Sequence, residues 1–415
     1  MCIFRFLTSS TTALFTLIAS TCIIAVPTPS SSKHGVSGHK VNIAVKADES
    51  ACNHWVDSVY NSLSPRRRVA QLFFPKVVPT RGDVSRAMLR SLVKDNEVGG
   101  LIFTEGFIAQ YADMTNYAQA QASVPLLMTF DGEWGLRMRI PKTPRFPHNM
   151  ALGAIHNGES LMYEYGREMA RECRIMGIHV NFAPVADVNS NPDNPVISYR
   201  SFGEDPQKVA SLVCAYSRGL EDGGVQAVAK HFPGHGDTNS DSHKTLPTLT
   251  RTRHQMEQVE LVPFRRFIAE GHSGIMTAHL AVPTYDKSST PASLSRKITT
   301  ELLRNTLGFD GLIYTDALGM KGATEAVANP CVAALRAGAD ILLCPPNTAR
   351  DIDAVMAAIA SGKISAEEVE THCRRVLRYK YYLGLSKYTP IDRNNLSERI
   401  NSVGADDLLR RLAEG

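Results

Sequence analysis

The stretch Val225-Gln226-Ala227-Val228-Ala229-Lys230-His231-Phe232-Pro233-Gly234-His235-Gly236-Asp237 changes character in its middle. Residues 225–229 are a short, mostly apolar run of β-branched and small side chains, as expected of a strand buried on both faces of a parallel sheet. From Lys230 the chain turns polar, and Pro233, Gly234 and Gly236 impose a tight, non-helical loop. The same habit recurs along the chain. Runs at 70–74, 99–104, 125–130, 179–184, 225–230, 274–279, 311–316 and 340–344 are short and apolar. Several pass straight into ionisable residues: Asp131 and Glu133, Asp187, Lys230 and His231, His279, Asp316. Segments of helical periodicity at 160–176, 206–222, 257–270, 299–306 and 350–361 lie between most of them, and a last helix is expected over 365–382.

Eight buried strands alternating with helices predict an α/β fold, a (β/α)8 barrel forming a single catalytic domain. In such a barrel the polar strand ends converge on one mouth, where active sites sit. A doubly wound open sheet is the alternative, but no glycine-rich dinucleotide fingerprint follows the first strand. Helix punctuation agrees with the alternation. Asn347 and Thr348 follow Pro345-Pro346 as N-caps, and Gly362 is a stop for the helix they begin.

A chain of 415 residues with 43% hydrophobic content can bury a large core. Its net charge of +4, with the signs interspersed, argues against a nucleic-acid partner. The N-terminus is a different kind of sequence. Arg5 precedes an uncharged stretch, 6–26, and then a Pro/Ser/Lys-rich spacer, 27–40. This order reads as a secretory signal and predicts an exported protein, periplasmic, envelope-associated or secreted. A membrane anchor is the rival reading, since the stretch approaches the ~20 residues that span a bilayer. Leu17-Ile18-Ala19-Ser20-Thr21-Cys22 also weakly resembles a bacterial lipoprotein signal lipidated at Cys22, with Thr21 a poor fit. The expected organisation is a leader at 1–26, a linker or N-terminal extension at 27–54, the barrel at 55–385 and a polar tail at 386–415. The six cysteines beyond the leader are scattered, with no zinc-ribbon spacing and no disulfide pattern.

Two constellations carry chemistry. From Lys230 to His243, three histidines and two aspartates fall within fourteen residues. Asp241 and His243 are two apart, so an extended backbone points both to one side. A carboxylate beside an imidazole fixes its tautomer and raises its basicity, as proton donation and return require. A metal reading competes, because His231, His235, Asp237 and His243 are all ligand types. Pro233 and Gly234 oppose the helix that His231-x-x-x-His235 would need, and no metal is assigned. The second constellation is Ile313-Tyr314-Thr315-Asp316-Ala317-Leu318-Gly319-Met320. An aspartate where a buried strand meets the mouth costs desolvation unless it is paired or functional, and capping the next helix is its structural alternative. Such a carboxylate plus a second proton-transfer group is the minimum for glycoside hydrolysis with retention.

Residues 230–238 with Asp241-Ser242-His243 resemble the signature of the β-N-acetylglucosaminidase branch of glycoside hydrolase family 3, and 315–320 resemble its nucleophile segment. Asp131-Gly132-Glu133-Trp134-Gly135-Leu136-Arg137-Met138-Arg139 is similar to its third-strand acidic motif, although many bacterial members have Gln-Glu-Gly-Gly after the first Asp. Residues 181–188 and 199–203 are similar to its fourth strand and arginine-containing loop. The resemblance spans roughly residues 55 to 385. It implies Asp316 as nucleophile and His243 as acid/base, polarised by Asp241. It implies Asp131, Arg139, Arg200, Lys230 and His231 as ligands of the terminal sugar. Residues 396–415 resemble the start of the second domain of larger members, so the tail reads as a stub of that domain.

The resemblance implies a retaining exo-β-N-acetylhexosaminidase that releases terminal N-acetylglucosamine from chitin-derived oligosaccharides or cell-wall muropeptides. A phosphorylase and a β-glucosidase on the same scaffold are the alternative enzymes, and a sugar-binding protein without turnover is the non-enzymatic one. The expected partners are the saccharide and, through a signal or lipid anchor alone, a membrane. The protein is expected to be a monomer, and nothing points to a nucleotide, flavin or other cofactor.

Overall fold

In the computed structural model of the protein, the described residues are 43, 47–239 and 246–415. The segment expected as a leader, 1–26, and the Asp241–His243 pair lie outside them.

The strands form in chain order. β1 is Phe73–Phe74 continued by Lys76–Val77, with Pro75, which has no N–H to give the ladder, between the two parts. Next come β2 (Gly100–Phe103), β3 (Leu127–Phe130), β4 (Val180–Asn181) and β5 (Gln226–Ala227 continued by Ala229–Phe232). β6 (Gly274–Thr277), β7 (Leu312–Thr315) and β8 (Leu342–Leu343) complete the set. Every pairing is parallel and between neighbours in sequence, from β1–β2 through β6–β7. A bridge between Tyr314 and Ile341 joins β7 to β8, and β8 returns to β1 with Phe73 opposite Leu342. The eight-stranded barrel expected from the sequence is therefore closed.

Nearly every strand residue is buried, which is why the strands read as apolar runs rather than alternating ones. Polar side chains inside the barrel bond across it. Tyr314 on β7 donates its hydroxyl to Gln226 on β5 (2.7 Å), spanning the interior between alternate strands. Outside lie the helices, including Glu159–Ile175, Pro206–Asp222, Thr348–Ala360 and Ala366–Tyr382. Asn347 caps the third of these through Arg350 N, and Ser365 opens the fourth with a reciprocal capping box through Glu368.

Three expectations need correction. Residues 257–270 are not one helix but two, Arg253–Gln258 and Leu261–Ala269, broken where Val259 leaves helical geometry and Glu260 is buried. The segment expected as linker or N-terminal extension is helical from Glu49. Asp48 caps a helix, Glu49–Ser62, whose Cys52, Val56 and Tyr60 recur at helical spacing and are buried. Glu49 is bound there by Arg378 and by the Tyr382 hydroxyl of the last barrel helix. Ala70, expected in the first strand, instead ends the helix Pro65–Ala70. The tail, polar in composition, forms helices Leu396–Ile400 and Val403–Glu414, which bury Ile400, Leu408 and Leu412. Arg171, on the helix Glu159–Ile175, donates to the carbonyls of Arg399 and Ile400, and Arg411 pairs with Glu164 on the same helix.

Candidate active site

The carboxyl ends of the strands open into a cavity of about 1110 Å³. Asp131, Arg139, Arg200, Lys230, His231 and Asp316, all named from the sequence, line it together.

Its floor is an alternating chain of charges. Lys230 Nζ lies 2.6 Å from Asp131 Oδ1 and 2.7 Å from Glu133 Oε1. Arg139 Nη2 donates to Asp131 Oδ2 at 2.5 Å. Arg200 grips Glu133 with two parallel bonds, Nε to Oε2 at 2.9 Å and Nη2 to Oε1 at 2.7 Å. Burial alone would drive these groups neutral, but the partners outweigh it. Burial pushes Asp131 and Glu133 up, and the cations beside them, Lys230 first, bring both carboxyls below the usual range. For Lys230, burial pushes down while Asp131 and Glu133 carry it above its ordinary value. The floor is charged throughout and presents both donors and acceptors to hydroxyl groups.

Two of these side chains come from adjacent positions on β5. Residues of a regular strand alternate between faces, yet both Lys230 and His231 line the cavity. The register of β5 against β6 shifts between Lys230 and Phe232, at the cis Lys230–His231 peptide, and the alternation breaks there. Buried Asp187 then anchors the loop that follows. It accepts from His231 N (3.1 Å), His231 Nδ1 (2.7 Å) and His235 N (2.7 Å). With Nδ1 as donor to Asp187, His231 turns Nε2 toward Arg200 Nη2, 3.4 Å away. His235 bonds Thr238 Oγ1 through Nδ1 (2.7 Å), and burial holds it down to about 4, so it is neutral at physiological pH. The loop rests directly on the one after β4, where a Cβ on Gly236 would sit 1.6 Å from Val188 O.

Asp316 stands at the end of β7. Its N–H donates to Thr277 O (2.9 Å), and its Oδ1 accepts from Ala317 N (2.7 Å). The next helix, Lys321–Thr324, starts after Met320, so Asp316 does not cap it. Burial pushes its carboxyl up, but His279 and then His231 outweigh this and leave it below the usual range, ionised. His279 fixes the adjoining backbone, with Nε2 3.0 Å from Ala317 O and Nδ1 2.7 Å from Ser293 Oγ. At the rim, Trp134, which also lines the cavity, packs edge-on against His148, with ring centroids 4.7 Å apart.

Glu133, Asp187 and His235 were legible as polar groups at strand ends or in the β5 loop, but not as the centres of these networks. The Asp131-x-Glu133 spacing was the one signal that both carboxylates face one way. As for the metal reading, Asp237 is taken up by Arg251 (2.8 Å), and His231 and His235 spend their Nδ1 atoms on Asp187 and Thr238.

Residues 65–379 match the family described as glycosyl hydrolase family 3 N terminal domain. The chain belongs to glycosyl hydrolase family 3. The chain is 36% identical over 340 residues to Beta-hexosaminidase A of Pseudoalteromonas piscicida, covering 72% of this chain but only 57% of that protein's length. It is 37% identical over 283 residues to Beta-hexosaminidase of Nitrosospira multiformis, covering 65% of this chain and 80% of the relative. A solved family 3 beta-N-acetylglucosaminidase from Paenibacillus sp. superposes with a TM-score of 0.77 at 34% identity, over 85% of this chain and 69% of that one. The barrel that the family 3 resemblance implied is thus the fold observed.

Proposed function

We propose that this family 3 chain is a retaining glycoside hydrolase that removes terminal β-linked N-acetylglucosamine from oligosaccharides. The observation that carries the reading is the placement of the Asp316 carboxylate, held by backbone bonds at the mouth of the cavity whose floor is the Asp131–Lys230–Glu133–Arg200 chain. The names of the similar hexosaminidases support the acetylated sugar.

In this mechanism the floor takes the hydroxyls of the terminal sugar and sets its anomeric carbon against Asp316. Asp316 attacks that carbon while His243, polarised by Asp241, gives its proton to the departing glycosidic oxygen. Water then surrenders a proton to His243 and attacks the same carbon, releasing Asp316 and a sugar of retained configuration. Asp316 has to be anionic for the first step, and its position beside His279 and His231 favours that form. Chitin- or cell-wall-derived oligosaccharides are the substrate class, and the leader reading would put the enzyme outside the cytoplasm.

The test is nitrophenol release from the β-N-acetylglucosaminide and the β-glucoside by wild type, Asp316→Ala and His243→Ala. Strong preference for the acetylated sugar, lost in both variants and independent of phosphate, is the expected result. Equal turnover of the glucoside, or indifference to His243, would move the assignment to a β-glucosidase. A requirement for phosphate would make the enzyme a phosphorylase.

A further inference from the structure

The far end of the barrel holds a second cluster, at the N-terminal side of β6. Cys214 and Glu221 lie seven residues apart on the helix Pro206–Asp222 and so share one of its faces. That face meets the segment leaving the helix Leu261–Ala269, which brings Glu270 and His272. The thiol, one carboxylate oxygen and one imidazole nitrogen of Cys214, Glu270 and His272 all lie within 4.8 Å of one another.

We propose that Cys214, Glu270 and His272 bind one borderline-soft divalent cation, with zinc as the type ion, at the base of the barrel. The donor set is sulfur, nitrogen and oxygen, the combination that zinc accepts, and a metal at ~2.0–2.3 Å from each needs only small closing movements. The surroundings aim these atoms. Glu221 Oε2 accepts from His272 Nδ1 (2.8 Å), while its Oε1 is occupied by Ser273 N and Ser273 Oγ. This is the outer-sphere carboxylate that orients a metal-binding imidazole, and it turns Nε2 toward Glu270 Oε2, 3.8 Å away. Arg266 holds the other Glu270 oxygen, Oε1, at 2.9 Å. Cys214 and His272 are buried, whereas the Glu270 side chain is 27% exposed, giving the ion a route in and a water the fourth position.

The bound ion would join the helix Pro206–Asp222 to the Glu270–His272 segment. Since this end lies opposite the mouth, the role is structural.

The test is titration of the purified chain with Co²⁺, read by sulfur-to-cobalt charge-transfer absorption in the near ultraviolet. One equivalent should give the band, and Zn²⁺ should bleach it. Cys214→Ser should abolish it, whereas Cys344→Ser should keep it, because Cys344 lines the catalytic cavity. No band in the wild type, or a band that survives in Cys214→Ser, overturns the proposal. Should Cys214→Ser fail to fold, Glu270→Gln on the partly exposed carboxylate decides: at least a tenfold loss of Co²⁺ affinity is expected, and unchanged affinity refutes the site.

Discussion

Glu133→Gln is the sharpest probe of the charged floor, because it removes one negative charge at nearly constant shape. Glu133 accepts two bonds from Arg200 (2.9 and 2.7 Å) and lies 2.7 Å from Lys230 Nζ, with its side chain only 1% exposed. At that depth there is no solvent to screen the loss. Removing one member of a buried ion pair costs about 3–5 kcal/mol, since the partner's charge stays buried. Gln keeps one oxygen for Arg200 but sets an amide N–H₂ against a cation, so the lower half of that range, about 3 kcal/mol, is expected. In a domain of this size that lowers the melting temperature by roughly 5 °C. The pH dependence has a definite sign. The folded-state carboxyl is held below its unfolded value, so its contribution is complete above about pH 4.3 and is lost as pH falls through the folded value. The gap between wild type and Glu133→Gln should therefore be full at pH 7 and close only in strong acid. Calorimetry from pH 8 to pH 3, with kcat/KM on the acetylglucosaminide alongside, checks both parts. A loss of roughly 100-fold in kcat/KM is expected as Arg200 and Lys230 shift relative to the sugar. A melting temperature within 1 °C of wild type at pH 7 would refute the claim that the floor is charged and tightly paired.

Two further outcomes follow from buried groups. His279 and His231 hold Asp316 low against burial, with Lys230 adding to them, so His279→Ala should move the acidic limb of kcat/KM to higher pH; an unmoved limb refutes the role of His279. Lys380, buried with Nζ on Gln71 Oε1 (2.7 Å), is pushed down to about 7 by burial, so the unfolded chain binds more protons between about pH 7 and 10 and stability should rise across that window. Lys380→Met should stabilise the protein at pH 7 by roughly 2 kcal/mol, with a gain that shrinks toward pH 10, as urea unfolding would show.

The barrel was legible because strands buried on both faces leave continuous apolar runs, and all eight runs correspond to strands. Their lengths were less legible. The expected 179–184 strand keeps ladder geometry only at Val180–Asn181, while 181–188 is chiefly the path by which Asp187 reaches the next loop. The break at Val259 escaped notice because periodicity does not register a local demand: Glu260 packs beneath Gly234, where a Cβ would come within 2.7 Å of it. The six residues named for the cavity floor and nucleophile do converge, since strand ends must meet at one mouth. What the sequence withheld was pairing. That Arg200, in the turn Ser198–Arg200, would clasp Glu133 depends on where a long excursion after β4 returns, and no local pattern encodes that.

The bulge in β5 has a consequence for how this site can change. Lys230 and His231 line the cavity from neighbouring positions, at the point where the strand shifts register against β6. Deleting one residue upstream, or regularising the pairing, would rotate one of the two out of the cavity without altering a single functional side chain. Variation among descendants of this chain should therefore tolerate substitutions around β5 far better than changes in its length. A single substitution removes one side chain, whereas a one-residue indel here would part Lys230 from His231 in one event.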